Sequence, residues 1–200
     1  MKGCQVCPQM ERLFADLLDQ RRISALDVVD LASQPERAER YHVRSVPFYL
    51  IDEVAFTGLR TRGEIDQLLA RNTIDRWAER LADAFGQGNL GEAEQLLRDH
   101  AAARQAMVRL LQDDSTELVV RIGLSAVIES LGPEGLLNEL TDEFIGLTAA
   151  SDARVAMDAL YYLQLIGNET CVARLRQVAR SGQQPLASEA GELLAEMSAP

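Results

Sequence analysis

The sequence has no run of eighteen apolar residues and no charged-then-apolar leader, so as written it predicts neither a membrane span nor a secretion signal, and the expected location is the cytoplasm. Cysteine is scarce: three in 200 residues, two of them in one C-x-x-C, too few for a disulfide framework and suited to a catalytic pair. Histidine is scarcer still. His42 and His100 fall in different predicted domains, and with no second C-x-x-C and no H-x-x-x-H the other half of a zinc site is lacking. No metal and no cofactor is implied. Basic residues are outnumbered, 20 Lys and Arg against 31 Asp and Glu, for a net charge of −11. Such a surface repels phosphate backbones, which argues against nucleic-acid binding and favours a basic protein partner over solubility alone only as an even choice.

Hydrophobic residues make up 47% and charged residues 26% of the chain, enough to bury a core in each of two modest domains. The charge is unevenly shared. Residues 1–75 carry ten basic and twelve acidic side chains, whereas residues 76–200 carry ten and nineteen.

Cys4-Gln5-Val6-Cys7-Pro8 opens an amphipathic helix on which Met10, Leu13, Phe14, Leu17 and Leu18 recur as one buried stripe. Two sulfurs separated by two residues at a first helical turn lie close enough to join, and the unpaired N–H groups there stabilise a thiolate. Cys4 is then the attacking sulfur and Cys7 the resolving one. Pro8 sits where no intrahelical partner is lost. Ile23 to Leu31 reads as a strand, and Pro35-Glu36 opens a short charged helix reaching about Tyr41. Phe48-Tyr49-Leu50-Ile51 and Val54-Ala55-Phe56-Thr57 form a hairpin across Asp52-Glu53, ending at Gly58. A last helix starts at Thr61, where Glu64 completes a capping box and Ile65, Leu68 and Leu69 form the apolar face. The expected order is α-β-α-β-β-α.

On these residues, stretch 1–72 resembles the thioredoxin/glutaredoxin superfamily. Cys4 and Cys7 match its redox pair, Pro47 its cis-proline, and Gly58 the glycine after its final hairpin. The resemblance implies a cis Val46-Pro47 bond and a substrate chain that pairs with the Val46 backbone like an added strand, so that Val46, Pro47 and Gly58 belong to the substrate site. It also implies a strand ahead of the C-x-x-C, for which this sequence offers only Met1-Lys2-Gly3. Either the start lies upstream, which is the favoured expectation, or the remaining strands close up directly. For the buried proton-relay carboxylate of many thioredoxins, Asp27 and Asp30 are the candidates. Arg44, in the loop before Pro47, is read first as a solvated arginine and second as an electrostatic aid to the thiolate. His42 is read as a surface residue.

From Arg76 onward strand patterns vanish and the chain reads as helical, with breaks at 86–89, 132–133, 167–168 and 181–185. Val120-Arg121-Ile122-Gly123-Leu124 realigns with Val155-Ala156-Met157-Asp158-Ala159 at a shift of thirty-five, each running on into a glycine, and Leu186 to Ala190 supplies a third copy. The stretch from Asp152 to Gly167 is similar to a HEAT-type repeat. About three repeats follow a helix pair between Trp77 and Leu111. Cys171 reads as packing within a repeat, and Trp77, Tyr161 and Tyr162 as fillers of space between helices.

The expected fold is therefore α/β plus all-α, a thioredoxin-like domain over residues 1–72 followed by a short HEAT-like α-solenoid over 73–200. The expected function is thiol-disulfide exchange with a protein partner through Cys4 and Cys7. Its electron donor is not identified and would be of thioredoxin-reductase or glutathione type, and the acidic repeats hold the partner. The rival is a non-catalytic repeat adaptor carrying a degenerate redox domain. Gln5-Val6 between the cysteines is uncharged and leaves the direction of exchange open.

Overall fold

The computed structural model of the protein describes residues 4–198. The chain forms two compact units, Met1–Arg76 and Trp77–Pro200. The expectation of a strand at Met1-Lys2-Gly3 lies outside the described residues.

In the first unit, α1 (Cys7–Asp19) buries Met10, Phe14 and Leu17, spaced four and three apart on one face, and Pro8 occupies its first turn without losing a bond. Leu13 is only half-buried, and Leu18, expected on the buried stripe, is exposed. A short helix α2 (Pro35–Arg40) follows, ended by Tyr41. The strands β1 (Phe48–Ile51) and β2 (Val54–Thr57) pair antiparallel, Phe48 opposite Thr57 and Ile51 opposite Val54. Asp52 takes φ +53° in the tight turn. The helix α3 (Arg62–Ala70) opens with the anticipated capping box: Thr61 accepts from the Glu64 backbone while the Glu64 carboxylate accepts from the Thr61 N–H. Ile65 and Leu68 are its buried face. Arg76 is buried, its Nε donating to the Leu68 carbonyl at 2.9 Å and its guanidinium pairing with Asp52.

The run Ile23 to Leu31 is not a strand. The sheet has two strands only, among the described residues, so the order is α-α-β-β-α. Alternating apolar residues make a strand only if a neighbour supplies the ladder. Here an open cleft of about 1190 Å³ separates this run from β1, and residues of both line it. Val28 is left 56% exposed. Asp30 instead turns the chain, accepting from the Ala32 N–H.

The second unit is helical. The helix α4 (Thr73–Gly86) leads in, and α5 (Leu90–Asp99) and α6 (Ala101–Gln112) follow, three helices where a pair is expected. The extra break is at His100, whose extended backbone interrupts the helix while its ring lies 4.5 Å from that of buried Trp77. The next helices are α7 (Leu118–Leu131), α8 (Thr141–Leu147) after a 3-10 turn at Asn138–Leu140, α9 (Ala153–Ile166), α10 (Glu169–Ala179) and α11 (Leu186–Met197).

The helices α7 and α9 begin and end at the anticipated shift of thirty-five residues and lie side by side. Ser125 and Tyr162 share a hydroxyl hydrogen bond of 2.8 Å, and the Tyr161 hydroxyl donates to Glu129 at 3.2 Å. The helix α11 continues this row, with the Gln164 amide donating to the Leu193 carbonyl and to Glu196. Behind it α8 and α10 are bridged by Arg174 to Thr148 at 2.9 Å. Gly167 closes α9 with φ +65°, a left-handed cap that glycine adopts without strain.

Candidate redox site

The last turn before α1 sets the site. Cys4 precedes the helix and Cys7 is its first residue, with Cα atoms 5.5 Å apart and the sulfurs joined as a disulfide. The backbone N–H of Cys7 donates to the Cys4 Sγ at 3.1 Å. First-turn amides have no intrahelical acceptor, so one of them pointing at the Cys4 sulfur, together with the positive end of the helix dipole, would stabilise negative charge on that atom. Both sulfur-bearing residues are partly exposed, and Gln5 and Val6 between them face solvent.

Val46 and Pro47 line the same cleft as Cys7, so residues forty apart in sequence meet at one opening. The Val46-Pro47 peptide is cis, and Pro47 is buried. The Val46 N–H and carbonyl have no hydrogen-bond partner among the described residues, which leaves a short length of backbone edge able to pair with another chain. Gly58 does not line the cleft. It acts one step back, donating its N–H to the Pro47 carbonyl at 2.9 Å from a backbone with φ +83°.

The rest of the cleft was not legible in the sequence. Its wall is built from Met10 and Phe14 of α1, the Ile23 to Leu31 segment and β1, with the Phe14 and Tyr49 rings 5.2 Å apart. Exposed Val28 is a trace of it, but an exposed valine has no signature in sequence.

Asp27 and Asp30 are not a buried proton relay. Both are exposed: Asp27 pairs with Arg37 at 2.7 Å, and Asp30 holds the turn described above. Arg44 and His42 are exposed, the latter at φ +49°. Cys171 is wholly buried, and burial pushes its thiol pKa up, away from reactivity. Its N–H instead takes the Asn168 side-chain cap of α10. Among the described residues, no group of three or more His, Cys, Asp or Glu is placed to hold a metal ion, and no helix is long and apolar enough to cross a membrane.

No curated protein and no solved structure matches this chain. Residues 1–70 match the family model of a thioredoxin domain, so a thioredoxin-like domain carrying the Cys4–Cys7 pair is followed here by a run of helices.

Proposed function

We propose that this protein is a thiol-disulfide oxidoreductase that exchanges disulfides with a protein partner through Cys4 and Cys7. The observation that carries the reading is the Cys4 sulfur accepting the first-turn N–H of α1 beside a cleft whose rim is the unpaired Val46 backbone. In the reducing direction the Cys4 thiolate attacks one sulfur of a substrate disulfide docked along Val46 and Pro47. The substrate S–S bond breaks, one substrate thiolate leaves, and a mixed disulfide forms. The Cys7 thiolate then attacks the Cys4 sulfur, releasing the second substrate thiolate and leaving the Cys4–Cys7 bridge. Two electrons pass to the substrate, and a donor of thioredoxin-reductase type, or two molecules of a glutathione-type monothiol, returns them. The reverse sequence oxidises a dithiol. Cysteine usage fits a cytoplasmic catalytic pair.

The helical unit, which we read as a short HEAT-like stack, is proposed as the surface that holds the partner. Tethering a weak groove to a second contact raises the effective concentration of substrate at the sulfurs.

The test is intact mass after thiol alkylation across a glutathione redox series, for wild type, Cys4→Ser and Cys7→Ser. A reversible two-electron step joining Cys4 to Cys7, with Cys4 the faster to alkylate, is expected. No intramolecular bridge at any poise would overturn the oxidoreductase reading. The open cleft beside a two-stranded sheet favours one alternative, an adaptor carrying a degenerate redox domain. Under it, Cys4→Ser/Cys7→Ser would leave the biological role intact.

A further inference from the structure

The first turn of α7 is apolar on its outer side. Leu118 is 69%, Ile122 62% and Val119 44% exposed. Spaced three and four apart, these side chains share one face, whereas Val120, Gly123 and Leu124 turn inward. Together they present on the order of 300 Å² of apolar surface, within the range of the largest patch on a typical monomer, which is often functional.

The neighbouring helix supplies a charge. Asp158 of α9 lies one turn before Tyr162, which bonds Ser125 of α7, so its carboxylate stands level with Arg121 and Ile122. It is half-buried and makes no hydrogen bond or salt bridge among the described residues, although the charges of Arg154 and Arg121 act on it. The two nearby arginines are committed elsewhere. Arg121 donates to the carbonyls of Thr116 at 3.2 Å and Asp113 at 2.6 Å, and Arg154 pairs with Asp152 at 3.3 Å. Asp113, Asp114 and Glu117 precede Leu118 in the sequence.

We infer that Leu118, Val119 and Ile122 of α7 with the Asp158 carboxylate of α9 form a docking site for a basic amphipathic helix of a protein partner. Apolar side chains of the incoming helix, at i, i+3 and i+4, cover the α7 face while a lysine or arginine one turn away reaches Asp158. The charge selects the occupant. Residues 77–200 hold nineteen acidic and nine basic side chains, so a second copy of this unit, or an anionic lipid surface, is repelled where a basic segment is steered in. This site rests on the assignment of the helical unit as the partner-holding surface and names the partner's chemistry; it does not depend on the thiols.

The probe is a fluorescein-labelled eighteen-residue peptide of leucine and lysine with leucines at helical spacing, and a twin with glutamate for every lysine. Anisotropy is read on the full-length protein at physiological salt. The lysine peptide is expected to bind and the glutamate twin is not. Leu118→Ser/Ile122→Ser and Asp158→Asn are each expected to weaken binding about tenfold and about fivefold, respectively. Glu143→Gln, an exposed acid on α8, should change it less than twofold. Cys4→Ser/Cys7→Ser should bind as wild type does, separating this site from the redox reading. Equal binding by all variants would reduce the effect to general charge attraction and overturn the site. A wild-type dimer in sedimentation that Leu118→Ser/Ile122→Ser dissolves would make a second copy the occupant and overturn it as well.

Discussion

Replacing Gly123 by alanine sets two opposing effects against each other, and the packing of α7 decides the sign. In an open helix the change would stabilise by about 1 kcal/mol, because glycine is the poorer helix former. Here a Cβ would lie 2.3 Å from Phe85 Cδ1, with Cγ at 2.8 Å and Cε1 at 2.9 Å. Carbon atoms settle at about 3.5–4.0 Å, so the ring would have to retreat by more than ~1 Å. Phe85 is only 2% exposed, which leaves it no solvent to retreat into. Overpacking of a filled core costs about 1–3 kcal/mol, and so deep an overlap with a rigid ring belongs at the upper end. The expected net effect of Gly123→Ala is a loss of about 1–2 kcal/mol. Urea unfolding followed by helical circular dichroism and by the single tryptophan, Trp77, would measure it as a lower midpoint at unchanged slope. Phe85→Leu should cost stability in wild type but less in the Gly123→Ala background, since the two side chains compete for one volume. A raised midpoint for Gly123→Ala would refute the close approach of α7 to Phe85.

Three further outcomes are expected. Gly58→Ala meets no atom within 4 Å but must hold φ +83°, so it should cost about 1–2 kcal/mol by chemical denaturation, with Gly58→Asn costing less; equal stability of all three proteins would contradict the left-handed backbone. Thr61→Ala removes the cap of α3 and should cost about 1 kcal/mol. Hydrogen bonds from Thr61 hold the Glu64 pKa below the usual carboxylate range, so its stabilisation is present above the unfolded-state value and is lost as pH falls through the folded one. In Thr61→Ala the Glu64 titration, followed by NMR, should move back up. For Asp158 the sign is opposite. Burial raises its pKa against the opposing pull of Arg154 and Arg121, so stability is full below the unfolded-state value and falls as pH rises through the folded one. Asp158→Asn should therefore match wild type near pH 3 and unfold later than wild type at pH 7; identical pH profiles would show the carboxylate to be solvated.

The sequence alone determined the elements whose causes are local. The C-x-x-C before the Met10, Phe14, Leu17 stripe, the Asp52-Glu53 turn and the Thr61 capping box each depend on residues within a few positions, and the α7–α9 correspondence is written as a thirty-five-residue repeat. Only the tertiary structure decided what depends on a distant neighbour. Ile23 to Leu31 has the side chains of a strand but no adjacent backbone to pair with. Asp27 and Asp30, acidic in the expected region, are left in solvent. The break at His100 accompanies the approach of its ring to Trp77. The cleft that joins Cys7 to Val46 exists because separate segments stop short of one another, and Asp158 is half-buried because α9 packs against α7. Spacing along a chain records which face a residue occupies, whereas the partner that face meets is set by how the packed elements close.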